Sequence, residues 1–461
     1  MITVYSDLGK NEYDIHSLTK AFYPHEDVRI SEKEQEEEDK SLVYCFENGD
    51  KLSFAVPGND RDELKRTIYR KLSQRTGKEL PWGSLTGIRP VKMAMDRFRR
   101  GLSRDEVIKD MMTQYYVNRN KAELCADIAV NEMGILSGIK KEDFSLYVDI
   151  PFCPTTCLYC SFTSNRVGKD RGPVRDYLKA LFYEIRKTGD LFKDRKPDSV
   201  YIGGGTPTTL TPRELEELFE CLEESFDTAG AREFTFEAGR PDTIDRERLK
   251  VIKKHGVSRI CINPQTMNEK TLRVIGRSHT PKEVVSAFYL AREEGFDNIN
   301  MDMIIGLPGE GEEEVKNTMR ELGRLSPDNL TIHTLAIKRA SALGDRELGE
   351  LRKRLPLTDR MMEISVSGAY GMGMEPYYLY RQKNMSGNLE NTGFARKGKY
   401  GCYNILINEE VQDILALGAG AISKRVNEKG DCERSANFKL ADQYIANVDK
   451  MIGRKEKLFF S

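Results

Sequence analysis

Short apolar runs alternate with amphipathic stretches through the middle of the chain. The runs are SLYVDI (145–150), DSVYIG (198–203), EFTFEA (233–238), VSRICIN (257–263), DNINMDMIIG (297–306) and NLTIHTLAI (329–337). They have the length and apolar character of buried strands. Between them lie VRDYLKALFYEIRKTG, TPRELEELFECLEESF, IDRERLKVIKKHG, NEKTLRVIG, TPKEVVSAFYLAREEG and EEEVKNTMRELGRL. Several repeat apolar residues at i, i+3, i+4 and i+7, the spacing of one helix face. Several open at Thr, Asp or Asn followed by acidic residues, and several close at Gly; these are start and stop signals of helices. Six strand–helix units in a row predict parallel strands joined by right-handed crossovers. They are too few for the complete eight-fold barrel. The expectation is an α/β fold with an open, partial (β/α)6 barrel over 144–345, its site at the C-terminal ends of the strands.

The flanks read differently. In residues 1–140, MITVYS and SLVYCFENGDKLSFAV predict short strands, the second pair joined by the turn residues ENGD. SEKEQEEEDK between them predicts a solvated acidic loop. NDRDELKRTIYRKLSQRTG starts with a capping Asn or Asp and continues as a helix, with two more around 103–113 and 118–135. This region reads as an N-terminal α+β domain, and its basic helix around Lys65–Arg75 as a solvated face. Residues 346–461 read as a C-terminal α-rich extension. It has a helix at about 355–370, the loop QKNMSGNLENTG, and LALGAGAISK near the end.

Composition narrows the class. With 39% hydrophobic and 31% charged residues the chain is an ordinary globular one. A net charge of −1 provides no field to attract nucleic acid or a membrane surface. No apolar run is long enough for a spanning helix, and the first residues lack the pattern of a secretory signal, so the cytoplasm is expected.

Nine cysteines in such a chain argue against a disulfide framework. Six, at 45, 125, 221, 261, 402 and 432, are scattered and read as small core residues. The other three, Cys153, Cys157 and Cys160, follow the first barrel strand in the order Cys-x3-Cys-x2-Cys. That places three thiols at the rim. Structural zinc takes four ligands, and no fourth Cys or His follows within ten residues. A four-iron cluster on three cysteines keeps one iron open. Spacing and position favour iron–sulfur over zinc.

The string PFCPTTCLYC resembles the signature of radical S-adenosylmethionine (SAM) enzymes. Within that superfamily the chain is similar to the oxygen-independent coproporphyrinogen III oxidase family. LYVDIPFCPTTCLYCSF, YIGGGTPTTL, FTFEAGRPD, PQTMNEKTLRVIGR and NMDMIIGLPGE carry the likeness, over roughly 144–425. The N-terminal segment SLTGIRPVKM resembles a HemZ-like branch. The resemblance implies a [4Fe-4S] cluster on the three cysteines and SAM on its open iron. It also implies reductive cleavage of SAM and removal of a hydrogen atom from a substrate.

The same resemblance implies the SAM contacts. The Gly-rich loop GGGTPT presents backbone to a ligand, and the family places SAM against Gly204, Gly205 and Thr206. Glu237, Gln265, Arg277, Asp302 and Ala336 follow by position, and Tyr147 and Tyr159 match the SAM-contacting aromatics. Arg277 has the planar fork suited to a carboxylate. Asp302 in an apolar strand needs a partner or a function. His333 is a substrate-side candidate; Arg381 and Lys383 would suit the propionates of a tetrapyrrole. Two departures touch the substrate. Phe162 stands where the family's dehydrogenases carry a further cysteine, and Asp149 where they carry a histidine.

Three activities follow from the resemblance. The first is oxidative decarboxylation of coproporphyrinogen III to protoporphyrinogen IX. The second is haem carriage, and the third is radical chemistry on haem itself. The partners implied are a tetrapyrrole and a reducing protein such as flavodoxin or ferredoxin, acting on a monomer.

Overall fold

The computed structural model describes residues 1–6, 9–24, 26–32, 41–56, 60–87, 89–162, 165–168, 170–336, 341–342, 359–382, 388–427 and 430–460. Most of SEKEQEEEDK, Lys383, Ile337 and the start of the helix expected at 355–370 lie outside these residues. The chain divides into two compact units. One contains Met1–Val130 and Leu379–Glu390; the other contains Asn131–Pro356, Arg360–Tyr378 and Asn391–Ser461.

The first unit has a four-stranded sheet in the order β2-β1-β3-β4. The strands are β1 (Ile2–Tyr5), β2 (Val28–Ser31), β3 (Ser41–Phe46) and β4 (Lys51–Ala55). Val4, Leu42 and Tyr44 from the sheet pack with Phe22, Ile68 and Leu72 from the helices Glu12–Phe22 and Arg61–Thr76. The second helix starts where the Asp60 carboxylate accepts from the Asp62 amide at 2.9 Å. It stops at Gly77, whose φ of +66° costs little without a Cβ. The sequence pattern misses β2 and the helices Glu12–Phe22 and Pro90–Arg99.

In the second unit the six predicted strands form. They are β5 (Phe144–Ile150), β8 (Pro197–Gly204), β9 (Glu233–Glu237), β10 (Arg259–Cys261), β11 (Ile299–Ile305) and β12 (Asn329–Thr334). All adjacent pairs are parallel. Between β5 and β8 lie two short paired strands, β6 (Phe152–Cys153) and β7 (Asn165–Arg166). Strands buried on both faces need helices on one side and a filled interior on the other. The crossover helices start at strong signals. Thr211 and Glu214 exchange bonds at the head of Pro212–Ser225, and Thr280 and Glu283 do so at the head of Pro281–Glu293. Each such cap is worth about 1 kcal/mol.

The C-terminal region lengthens this sheet at both edges. Its strands are β13 (Glu375–Tyr380), β14 (Asn391–Ala395), β15 (Asp413–Leu417), β16 (Ile422–Val426) and β17 (Cys432–Ala436). β15 pairs in parallel with β5, and β14 pairs antiparallel with β12. The full order is β13-β14-β12-β11-β10-β9-β8-β5-β15-β16-β17. The region also has helices at Asp359–Gly371, Cys402–Glu409, Ala441–Ala446 and Val448–Phe460. The α/β fold with a six-stranded partial barrel is as the pattern predicts; the five added strands were not legible there. Among the described residues no helix is long and apolar enough to cross a membrane.

Candidate active site at the C-terminal rim of the barrel

The cysteine segment leaves β5 and turns back at once. The Cys160 amide donates to the Cys157 carbonyl at 3.0 Å, and the Leu158 amide to the Ile275 carbonyl at 3.0 Å. The Gly-rich loop grips the same base: the Gly205 amide donates to Ile150 at 2.9 Å and the Thr206 amide to Phe152 at 2.7 Å. Thr206 Oγ1 lies 3.4 Å from Cys153 Sγ. The glycines are required here. A Cβ on Gly205 would stand 2.6 Å from the Phe152 carbonyl oxygen, and one on Gly204 2.6 Å from the Asp149 carboxylate. Gly204 also has φ of +103°.

Cys160 senses the other two thiols. Burial raises the Cys160 pKa; the Phe162 amide opposes this, while the charges of Cys157 and Cys153 add to it. Burial also raises the Tyr159 hydroxyl, with Arg277 opposing and Cys157 and Cys160 adding. Tyr159 packs with Leu158 against Leu272, Ile275, Ile304, Leu307 and Leu335. Among the described residues no three Cys, His, Asp or Glu are grouped as around a single ion. A cubane asks for something else, since each thiolate takes its own iron.

Carboxyl groups and tyrosines fill the barrel interior. Tyr147 donates to Asp149 Oδ2 at 3.0 Å, and Tyr201 to Glu237 Oε1 at 2.5 Å. The rings of Tyr147 and Tyr201 stack with Tyr403, which the helix Cys402–Glu409 inserts; centroids are 4.6 Å apart for Tyr201–Tyr403 and 6.1 Å for Tyr147–Tyr403. Burial pushes Asp149 up to about 8, against the bond from Tyr147 and with help from the Glu237 charge. Burial likewise pushes Glu237 up to about 7, with Tyr201 opposing and Asp302 adding. Asp302 goes the other way. Burial disfavours its charge, but His333, Asn300 and Thr331 outweigh that and lower its pKa. Asn300 donates to it at 2.7 Å, and His333 Nε2 stands 3.7 Å away.

Gln265 has a positive φ of 66° although it carries a side chain. Its backbone bridges to β11 through Asp302 and Ile304, both at 2.9 Å. Arg277 donates to the carbonyls of Asn263 and Gly239. Among the described residues Gln265 Oε1, Asn263 Oδ1 and Arg277 Nε are buried without a hydrogen-bond partner. Unsatisfied buried groups and a strained backbone at one place are features that a ligand-binding site shows without its ligand.

Comparisons with known proteins identify the family. The Radical SAM superfamily profile matches residues 147–322. The oxygen-independent coproporphyrinogen-III oxidase-like protein HemZ of Bacillus subtilis is 41% identical over 405 residues, 86% of this chain and 81% of that one. The chain belongs to the radical SAM superfamily, in its coproporphyrinogen III oxidase-like, HemZ-like branch. The heme chaperone HemW of Haemophilus influenzae is 30% identical over 310 residues, covering 66% of this chain and 76% of that protein. Among solved structures, coproporphyrinogen III oxidase HemN of Escherichia coli matches in fold, with TM-score 0.54 and 24% identity over 70% of this chain and 73% of that one.

The family's cofactors are a [4Fe-4S] cluster and SAM. The residues present fit both. Three cysteines stand at the rim on one short loop, and beside them lie the Gly204–Gly205 turn and two orphaned polar side-chain atoms at Gln265 and Arg277.

The structure brings most sequence-predicted positions to this end of the barrel. Cys153, Cys157, Cys160, Tyr159, Gly204, Gly205, Thr206 and Arg277 meet around the cysteine loop. Glu237, Asp302 and His333 interact across the interior, and Tyr147 stacks with Tyr201 and Tyr403. Ala336 follows β12, at the edge of the described residues. Arg381 belongs to the first unit. Its guanidinium is buried; Nη1 donates to Leu85 at 2.8 Å and Gly87 at 3.3 Å and Nη2 to Asn388 Oδ1 at 2.7 Å, all in the first unit, while Nε has no hydrogen-bond partner among the described residues. Sequence reasoning missed Tyr201, Tyr403 and Arg240. Two had a signal: Tyr201 in YIGGG lies two residues before Gly203, on the same strand face, and Arg240 lies in the string FTFEAGRPD.

Proposed function

We propose that the chain is an oxygen-independent coproporphyrinogen III dehydrogenase. It converts two propionates of coproporphyrinogen III to vinyls, each losing a hydrogen atom to the SAM-derived radical and one electron to a one-electron acceptor, releases two CO2, and gives protoporphyrinogen IX. One observation carries this reading: tyrosine–carboxyl pairs and three thiols share one rim, in a chain similar over most of its length to a coproporphyrinogen-III oxidase-like protein. Cys153, Cys157 and Cys160 would hold the cluster. Once bound, cluster and SAM supply the electron and the hydrogen-atom abstraction that no side chain can provide.

The remaining work falls to the protein. Gly204, Gly205 and Thr206 line SAM; Arg277, whose Nη1 already donates to Asn263 and Gly239, offers its orphaned Nε to the carboxylate, and Gln265 its orphaned amide oxygen to a donor. Tyr147, Tyr159, Glu237, Asp302 and Ala336 complete the pocket. Asp149, with its pKa near 8, keeps its proton at neutral pH. It therefore donates a hydrogen bond to a ligand carboxylate instead of repelling it. His333, beside ionised Asp302, faces the substrate. The protein works in the cytoplasm as a monomer, reduced by a flavodoxin- or ferredoxin-like partner.

A second reading, haem carriage, is favoured by Phe162, which is 65% exposed beside Cys160, and by relatives named heme chaperone. The deciding experiment is anaerobic. Reconstituted protein is incubated with SAM, a reductant and coproporphyrinogen III, and 5′-deoxyadenosine and porphyrins are followed by mass spectrometry. Loss of two CO2 coupled to deoxyadenosine is the expected result. Deoxyadenosine with unchanged porphyrinogen sinks the dehydrogenase; haem consumed with SAM points to haem as substrate. Stable haem binding without turnover points to the carrier.

A further inference from the structure

Arg240 lies in the turn after β9, in the string AGRPD. It is only 2% exposed. Two of its nitrogens, Nε and Nη2, donate to the two oxygens of Asp242, both at 3.1 Å. The third, Nη1, donates to Thr155 Oγ1 at 3.0 Å and points at Cys157 Sγ at 3.9 Å. Thr155 in turn donates to the Gly276 carbonyl at 2.9 Å. The guanidinium thus braces the middle of the cysteine loop and aims one N–H at a thiol. It is not free for a ligand, because Asp242 holds its other edge.

We propose that Arg240 tunes the reduction potential of the cluster by donating a hydrogen bond to the Cys157 sulfur. The inference rests on the reading of Cys157 as a ligand. Reduction adds one electron to an already anionic centre whose charge lies partly on the thiolate sulfurs. A donor aimed at one sulfur favours the electron-richer state, and hydrogen bonds to the sulfurs are among the determinants of cluster potential. Asp242 offsets part of the guanidinium charge but fixes its direction. Arg240 and Asp242 therefore act in opposite senses: removing the donor disfavours the reduced cluster, and removing the counter-charge favours it.

The test is a redox titration, monitored by electron paramagnetic resonance, of anaerobically reconstituted full-length protein without SAM. Parent, Arg240→Met and Asp242→Asn are compared at matched iron and sulfide content. Arg240→Met is expected to shift the one-electron reduction equilibrium about tenfold toward the oxidised state, about 59 mV more negative. Asp242→Asn is expected to shift it the other way. If Arg240→Met fails to hold a cluster, Asp242→Asn decides alone: a positive shift supports the proposal and the parent potential overturns it. Full clusters at the parent potential in both variants reduce Arg240 to a brace of the loop. A parent chain that takes up no cluster overturns the ligand reading itself, and the inference with it.

Discussion

Two buried polar clusters in the same barrel unit are built on opposite principles. One surrounds Glu184, whose Oε2 accepts from the Tyr444 hydroxyl at 2.6 Å and the Gly418 amide at 2.8 Å. Its Oε1 accepts from Lys455 at 2.7 Å and Asn437 at 3.0 Å. Asn437 also donates to the Gly418 carbonyl at 2.8 Å, and Tyr177 links the Ala419 amide to the Asp149 carbonyl. The helix Val448–Phe460 is thereby tied to the LGAGA turn and to the end of β5. The other cluster is the rim, where Gln265, Asn263 and Arg277 keep buried atoms without partners and Gln265 sits at a strained φ. A satisfied network specifies structure; an unsatisfied one retains binding capacity. The fold spends stability at the rim and recovers it at the clamp.

Four substitutions or conditions probe that contrast. The largest effect belongs to Cys157→Ala, expected to lose all bound iron in elemental analysis while the melting temperature of the metal-free protein stays close to the parent's. Iron retained at the parent level would remove Cys157 from the ligand set. Lys455→Met comes next. It strands the Glu184 carboxylate, and urea unfolding is expected to report a loss of about 3–5 kcal/mol. A loss under 1 kcal/mol would mean that the clamp is incidental.

Gln265→Gly has the opposite sign. Glycine relieves the positive φ, so the ligand-free protein is expected to gain about 1 kcal/mol while SAM affinity in calorimetry falls. A destabilised variant with normal SAM affinity would make Gln265 purely structural. The smallest effect is a pH slope. Asp149 and Glu237 titrate near 8 and 7 when folded but near 4 when unfolded. Between pH 4 and 8 the native state therefore holds protons that the unfolded state releases, so stability falls as pH rises across that window. The groups facing the pair are Tyr147, Tyr177, Tyr201, Tyr403, Tyr444, Cys261, Asp302, His333 and Arg259. Asp149→Asn should flatten the upper part of the slope in thermal melts of the apo protein. An unchanged slope would leave Asp149 ionised at neutral pH.

Much of the barrel was readable because its signals are local. Six apolar runs, six amphipathic helices and their caps each lie within about twenty residues of chain. The cysteine spacing, the GGGTP loop and Glu237 at a strand end are local too. The added strands were not readable. β14 is NTGFA, which reads as a loop, and β16 and β17 carry charged residues of edge strands; their pairing comes from neighbours, not propensity. The burial of Arg381 was not readable, because charge in a Gly- and Asn-rich stretch gives no hint of it; its Nη1 donates to Leu85 and Gly87, some three hundred residues away in sequence.

The sequence by itself determined the period of strands and helices, the end of the barrel where chemistry sits, and the residue types offered there. These are properties of short windows, where backbone propensity and spacing decide the outcome. Only the tertiary structure decided that Tyr403 slides beneath Tyr147 and Tyr201, that Arg240 turns toward Cys157, and that Lys455 neutralises Glu184 across 271 positions. Those contacts join segments distant in the chain. Their free energies exist only once the interior is closed to water and each polar group must find its partner inside.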